Sequence, residues 1–514
     1  MEVYVMYEYN ENQLILPHEF FLPFGGQLNP KNRWVLLSQI IPWAKIEEKY
    51  LQALGDTRQG QKAYSVRLAL GALIIKERMG LSDVETVEQI TENPYLQYFI
   101  GLSSFQEEAP FHPSSMTHFR KRFGADVINQ VNEWVVEAEQ AKTKDTDKTK
   151  DDDNDLDNPN GSGISDSSEQ LESHEEKPKN QGKMLVDSTC APADIAYPTD
   201  LSLLNDAREK LEGIIDTLHE PQRGTCRKPR TYRKKARKQY LAVAKQRNPR
   251  KKTLRKAVRQ QLNHVRRNLK HIQNLVQKSS LELLSKQQYR DLLVIHELYR
   301  QQQNMFDTKS NRIDDRIVSI QQPHVRPIVR GKTSARVEFG AKISVSLVDG
   351  FSFLDVLDWN AYHEGNYLVQ SIEAYFQRYG FYPEAVLVDQ IYRTRENREY
   401  CKKHGIRLSG PRLGRPSKNE QKNREQKRIE YQDAVERNPI EGKFGEGKRS
   451  YGLGLIQSRL QQTSETEIAL QFLVMNLEKI LRDTFLSFFQ IFFSFLRQIT
   501  IHKLSIFYKV RVVR

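Results

Sequence analysis

Cysteine is scarce. Cys190, Cys226 and Cys401 are the three in 514 residues, odd in number and widely spaced. That argues against a disulfide framework or a cysteine zinc site, and for a reducing compartment, here the cytoplasm. Apolar runs are short as well. The most aromatic stretch, Phe485 to Leu496, is interrupted by Gln490 and too short to span a bilayer, so no membrane partner is expected. Met1-Glu2-Val3-Tyr4 lacks a basic region followed by an apolar run, so no signal peptide is expected. Large apolar residues are nearly absent from 139–182, where Asp, Glu, Lys, Ser, Asn and Gly dominate. Such a segment cannot bury enough surface to offset chain entropy and reads as a disordered linker. Acid is missing too: residues 221–280 contain no Asp or Glu, while Lys and Arg recur throughout.

What is present in excess is positive charge. A net charge of +14 and a pI near 9.3 suit a polyanionic partner, a profile shared by ribosomal, membrane-surface and RNA-binding proteins. Within the acid-free stretch, Leu241, Val243, Val258, Leu262, Val265, Leu269, Ile272 and Leu275 keep helical spacing. A helix or helical hairpin this basic repels itself unless phosphates or acidic surfaces neutralise it. Arg233, Lys234, Lys235, Arg237 and Lys238 are therefore candidates for contact with double-stranded DNA, the alternative being a solvated face. No base-reading pattern occurs, which favours phosphate tracking.

Two short apolar runs lead into aspartates: Met184-Leu185-Val186 into Asp187, and Ala385-Val386-Leu387-Val388 into Asp389. Both read as buried strands ending in a carboxylate. Such an aspartate either caps the following turn or ligates a metal. A third carboxylate, Glu441, lies in Arg437-Asn438-Pro439-Ile440-Glu441-Gly442. Three such groups could converge on two Mg²⁺ ions, hard cations that take carboxylate oxygens and for which Mn²⁺ can substitute. A metal pair roughly 3.5–4 Å apart activates the attacking oxygen and stabilises the leaving one in phosphodiester displacement.

These residues, in this order, resemble the DDE transposases of bacterial insertion sequences. Members of that family often carry Tyr-x2-Arg-x3-Glu-x6-Lys around the glutamate. Here Arg437, Glu441 and Lys448 stand at those spacings, with Ala434 in place of the tyrosine and Tyr431 three residues earlier. Further matching stretches are Asn93 to Phe99, Ser114 to Arg122 and Leu473 to Leu477, and the resemblance runs from about residue 20 to 485. It implies a ribonuclease-H-like catalytic domain that cleaves and joins DNA strands at the ends of a mobile element. It also implies a homodimer on DNA, with Asp187, Asp389 and Glu441 as catalytic metal ligands and Arg437 and Lys448 near phosphates. Glu430, Glu436 and Glu446 lie close enough to be mistaken for the ligand, and Arg437 and Lys448 could instead be surface partners of glutamates. The competing class is a catalytically inactive or repurposed DNA-binding protein derived from a transposase. A nuclease without strand joining shares the same site.

The expected fold is an α/β catalytic core, a ribonuclease-H-like mixed sheet with flanking helices, plus an N-terminal all-α domain and a basic α-helical insertion. Residues 1–62 read as an irregular segment broken by Pro17, Pro23, Pro30 and Pro42. Residues 63–138 read as a helical domain that contacts DNA through Arg120, Lys121 and Arg122, or else as a packing domain with a solvated basic face. The linker 139–182 follows. The catalytic domain takes 183–199 and 331–482, split by the basic insertion 200–330, and an aromatic tail occupies 483–514. Asp349-Gly350 is a hairpin signal. Residues 410–428 read as a basic loop, Pro439 as the first turn of a helix, and 466–482 as an amphipathic helix.

Overall fold

The computed structural model describes residues 16–23, 25–54, 63–151, 179–329, 337–411, 414 and 419–512, with side chains described outside 52–54, 143–151 and 487–512. Pro30 and Pro42 precede helices and Pro17 and Pro23 lie in turns, so none of the four interrupts a helix. Asn32 caps α1 (Arg33–Ile40) by accepting from the Trp34 N–H at 2.9 Å, and Pro42 directly precedes α2 (Trp43–Leu54). Trp34, Leu37, Trp43 and Ile46 are buried in the main core, so the irregular segment expected over 1–62 is in part structural. Next come α3 (Val66–Met79), α4 (Asp83–Glu92), α5 (Pro94–Phe99) and α6 (Ser115–Asp151). The capping box at the start of α4 forms as the sequence predicts, with Ser82 and Glu85 exchanging backbone hydrogen bonds. Helix α6 bends at Gly124, whose φ of 64° breaks the helical path.

Arg120 is not available to DNA. The phase of α6 turns it inward, where it is buried and donates to both carboxylate oxygens of Asp83 at 2.9 and 2.6 Å. Arg122 donates to the Tyr50 hydroxyl, and Lys121 remains exposed.

A six-stranded mixed sheet forms the second layer. Strand β1 (Lys183–Pro192) leads into the insertion helices α7 (Asp200–His219), α8 (Arg233–Ala244), α9 (Lys251–Val276) and α10 (Lys286–Thr308). The chain returns through β2 (Arg326–Val329), β3 (Val337–Val348), β4 (Phe351–Asp358), α11 (Leu368–Tyr379), β5 (Ala385–Leu387), α12 (Arg395–Lys403) and β6 (Arg407–Leu408). Helices α13 (Glu420–Ser450) and α14 (Gln461–Val512) complete it. The order is β2-β3-β1-β5-β6, with β4 also on β3; β1 pairs antiparallel with β3 and parallel with β5, which pairs parallel with β6. The β3–β4 turn is built on Asp349 and Gly350, with φ of 50° and 79°, as a two-residue hairpin turn requires. Gly340 is obligatory for a different reason: a Cβ there would lie 2.1 Å from the Ala191 carbonyl across the β1–β3 pair.

Several boundaries differ from the sequence reading. The sheet resumes at Arg326, inside the span assigned to the insertion, because Ile328 packs in the core. The span read as linker begins inside α6 and ends on the sheet, where Gln181 donates to Tyr382 and accepts from the Tyr375 hydroxyl. Residues 152–178 lie outside the described residues. The basic loop 410–428 is helical from Glu420, its segments 412–413 and 415–418 lying outside the described residues. Pro439 lies well inside α13, nineteen residues after Glu420.

Helix α14 binds the two layers together. Ile468 to Leu477 is buried on every side, against α3 and α6 on one flank and β4 on the other, so it is not a one-faced amphipathic helix. The N-terminal helices and the sheet thus share one core, and the separate helical domain expected over 63–138 is part of it. A buried amide network closes the contact. Asn476 donates to Asn132 Oδ1 and the Ser352 carbonyl, both at 2.8 Å, and accepts from the Ser352 N–H at 2.9 Å. The insertion has a core of its own, including Leu204, Leu211, Val265, Ile272 and Leu298.

Replacing Asn476 by Ala strands the Asn132 Oδ1 and the Ser352 N–H away from water. The expected loss is about 2–4 kcal/mol, seen as an earlier urea midpoint, whereas Gln462→Ala on the exposed start of α14 should shift it little.

Candidate active site

Strand pairing brings the two aspartates together. The β1–β5 register ends at Leu185 opposite Leu387, and two residues further along each chain stand Asp187 and Asp389. Met184 and Val186 point into the core while Asp187 takes the opposite face, the one α13 covers. Strand β1 does not end at the aspartate; it continues to Pro192 along β3, so the turn that Asp187 was to cap is absent. One carboxylate oxygen instead accepts from the Ser188 N–H at 2.8 Å. Asp389 follows β5 after Val388. The Ser409 hydroxyl fixes its approach, donating to the Val388 carbonyl at 3.2 Å and accepting from the Val388 N–H at 2.8 Å.

Glu441 arrives from α13, and one guanidinium joins all three groups. Arg437 lies 3.0 Å from Asp389, 3.6 Å from Glu441 one turn along its own helix, and 3.8 Å from Asp187. Asp187 is largely buried whereas Asp389 and Glu441 are open to solvent. Burial pushes the Asp187 carboxyl up to about 6 from its ordinary 3.8, with the Asp389 charge adding to the rise and the Ser188 N–H and Arg437 opposing it. The neighbouring glutamates are engaged elsewhere. Glu436 pairs with Lys183 at 2.7 Å, Glu446 with Lys443 and Arg482, and Glu430 accepts from Gln426. Lys448 stands two turns beyond Glu441 on the same face of α13, about 10 Å along the axis. Tyr431 is exposed at the solvent side of the helix.

Sequence reasoning missed the brace beneath the site. Tyr392, fully buried, shares a 2.8 Å hydrogen bond with the Ser188 hydroxyl, tying the residue after Asp187 to the loop after Asp389. A fourth carboxylate, Glu364, raises Asp187 further from a loop where it pairs with Lys342 at 3.0 Å. Nothing in the local sequence marks either residue, since their relation to Asp187 exists only across strands.

The donor set suits a hard divalent cation: three carboxylates, solvent on one side, and a net negative charge that at present a guanidinium offsets. As they stand, the carboxylates surround Arg437, and among the described residues no trio of His, Cys, Asp or Glu is drawn close enough to hold a metal ion. The basic candidates lie elsewhere. Lys234, Lys235, Arg237 and Lys238 line exposed positions of α8. Arg233, at its start, is consumed within the insertion by Asp216 at 2.5 Å and by the Glu212 carbonyl at 2.7 Å. All three cysteines are free. Among the described residues no helix is long and apolar enough to cross a membrane.

Comparison with known proteins bears on the family of the chain. Residues 386–478 match the model of a Transposase DDE domain, a span that holds Asp389, Arg437 and Glu441. Residues 23–122 match a Transposase domain (DUF772). An uncharacterized protein, ORF8 in the nfe locus of Rhizobium meliloti, is 32% identical over 186 residues, covering 36% of this chain and 73% of that protein. No solved structure matches. The chain belongs to the DDE transposases of bacterial insertion sequences.

Proposed function

We propose that this protein catalyses divalent-metal-dependent cleavage of DNA and strand transfer at the ends of its own mobile element. The observation that carries the reading is the convergence of Asp187, Asp389 and Glu441, from two parallel strands and a covering helix, on one cationic centre. In this reading those carboxylates hold two Mg²⁺ ions, which supply charge stabilisation to the attacking and leaving oxygens. The chain's own residues do the rest. Ser188 and Tyr392 keep Asp187 in register with Asp389, and Arg437, once released from the carboxylates, is placed to hold a phosphate by its fork. Water and then a DNA 3′-hydroxyl attack phosphodiesters in line, with no covalent protein intermediate. A ribonuclease-H-like core is supported by the order β4-β3-β1-β5-β6, three parallel strands flanked by an antiparallel pair, once β2 is set aside. The exposed cations of α8 and the side chains of Lys121 and Arg122 supply contacts to duplex DNA in the same reading, which takes the protein to work in the cytoplasm.

Incubating the protein with its flanking genomic DNA and Mg²⁺, then mapping cut and joined ends, tests the proposal. Single Asp187→Ala, Asp389→Ala and Glu441→Ala variants should lose cleavage while retaining DNA affinity, because the carboxylates act on the transition state. Binding by the wild type without cuts or joins, in Mg²⁺ or Mn²⁺, would leave the repurposed DNA-binding protein as the answer.

The raised carboxyl of Asp187 also fixes a pH dependence in the metal-free protein. Ionising it in the folded state is unfavourable, so the penalty is fully present above pH 6 and vanishes below about pH 4. Asp187→Asn should therefore stabilise the protein in chelator by on the order of 2 kcal/mol at pH 7.5, and by almost nothing at pH 4. Equal effects at both pH values in denaturant titrations would contradict the burial argument.

The α8 cations give a third expectation. Changing Lys234, Lys235, Arg237 and Lys238 together to Gln should flatten the slope of log affinity against log salt by up to about 3.6, four times about 0.9 per phosphate. Element ends and random duplex should weaken alike; a selective loss on element ends would mean base reading.

A further inference from the structure

A second basic feature lies where the insertion meets the core, formed by residues far apart in sequence. Lys286 and Arg290 on the first turns of α10 face Arg459, in the loop between α13 and α14, across a cleft of about 410 Å³ completed by Gln287, Gln321 and Leu460. Among the described residues no carboxylate lines it. Lys286 and Arg459 are exposed, and among the described residues neither makes an ion pair. Arg290 is held in place: it donates to the Gln321 carbonyl at 3.1 Å, and Asp291, 3.6 Å away, is shared with Lys210. Asp291 offsets Arg290, whereas Lys286 and Arg459 leave two positive charges on one concavity that an anion would complete.

The anchoring of the loop says how the cleft is oriented. Ile456 accepts from Asp194 just past the end of β1 and donates to Pro192, while Gln322 binds the Asp194 carbonyl at 3.0 Å. On its other side, Gln462 donates to the Lys121 carbonyl at 3.0 Å and Thr466 to that of Arg120. Exposed Lys121 thus stands beside the loop that carries Arg459, and Arg459 stands across the cleft from Lys286. The backbone of Lys121 on α6, the start of α14 just after the loop that carries Arg459, and the start of α10 are thus neighbours.

We propose that this cleft grips the sugar–phosphate backbone of duplex DNA, so that one stretch of duplex is held at once by the N-terminal helices, the core and the insertion. The proposal rests on the DNA-binding part of the reading above and adds contacts that neither the acid-free stretch nor the carboxylates indicate. The grip is one of cations on phosphates, and phosphate contacts carry no direct sequence information.

The test is the salt dependence of binding of the full-length Lys286→Gln/Arg459→Gln variant to a random-sequence duplex, by fluorescence anisotropy. Both side chains are exposed, so the thermal melting curve should match wild type. Two lost phosphate contacts should lower the slope by about 1.8 and weaken random and element-end DNA by the same factor. A slope unchanged from wild type, with wild type binding normally, overturns the cleft and leaves the transposase reading intact. A wild type that binds no duplex removes both. Titration with inorganic phosphate separates the remaining source: tight binding lost in the variant, with the DNA slope unaltered, would assign the cleft to a free anion and overturn the proposal.

Discussion

Like-charge repulsion between Asp187, Asp389 and Glu441 is the constraint around which this fold is arranged. Two carboxylates on adjacent parallel strands cannot relax apart, because each strand is pinned on its other edge, β1 by eight residue pairs with β3 and β5 by β6. The third is carried on a helix whose Ile440 and Phe444 are buried, so it cannot swing away without uncovering apolar surface. The fold therefore concentrates negative charge and must neutralise it from the same helix. Arg437 does so from one turn before Glu441, a spacing that brings side chains to the same face. The Ser188–Tyr392 bond then prevents the strand and the following loop from answering the repulsion by sliding.

Much of this was legible along the chain. Apolar runs ending in aspartate marked β1 and β5, Asp349-Gly350 marked the hairpin, and Ser82 with Glu85 marked a helix start, because each is a local device in which neighbouring residues decide the outcome. What could not be read was long-range. Whether Arg120 points to solvent or to Asp83 depends on how α4 lies against α6. Whether β1 stops at Asp187 depends on β3, some 150 residues later, offering a partner for Ser188 to Pro192. Pro439 misled for a related reason. Its own signal is to open a helix, but α13 is held by Asp433, whose carboxylate takes both Nη groups of Arg407 at 2.6 and 2.9 Å, and by Ile440 on either side of the proline. The three carboxylates were found by type and order, whereas their common contact with Arg437 emerged only in three dimensions.

The insertion illustrates how charge and burial are separated. Its helices hide Leu and Ile between them and keep acids on α7 and α10, where Glu212, Asp216 and Asp291 neutralise Arg208, Arg233 and Lys210. Helices α8 and α9 carry no acid of their own. The result is a module with internal compensation on one flank and uncompensated cations on the other, attached to the sheet through β1 and β2.

The central position of α14 has a consequence for the order in which the molecule is made. The core between α6 and β4 is filled by Ile468 to Leu481, which leave the ribosome after every strand of the sheet. Helices α7 to α10, with a core of their own, are synthesised well before that and can close on themselves. The basic arm can thus fold first, while the sheet that aligns Asp187 with Asp389 stays open until α14 arrives to seal it.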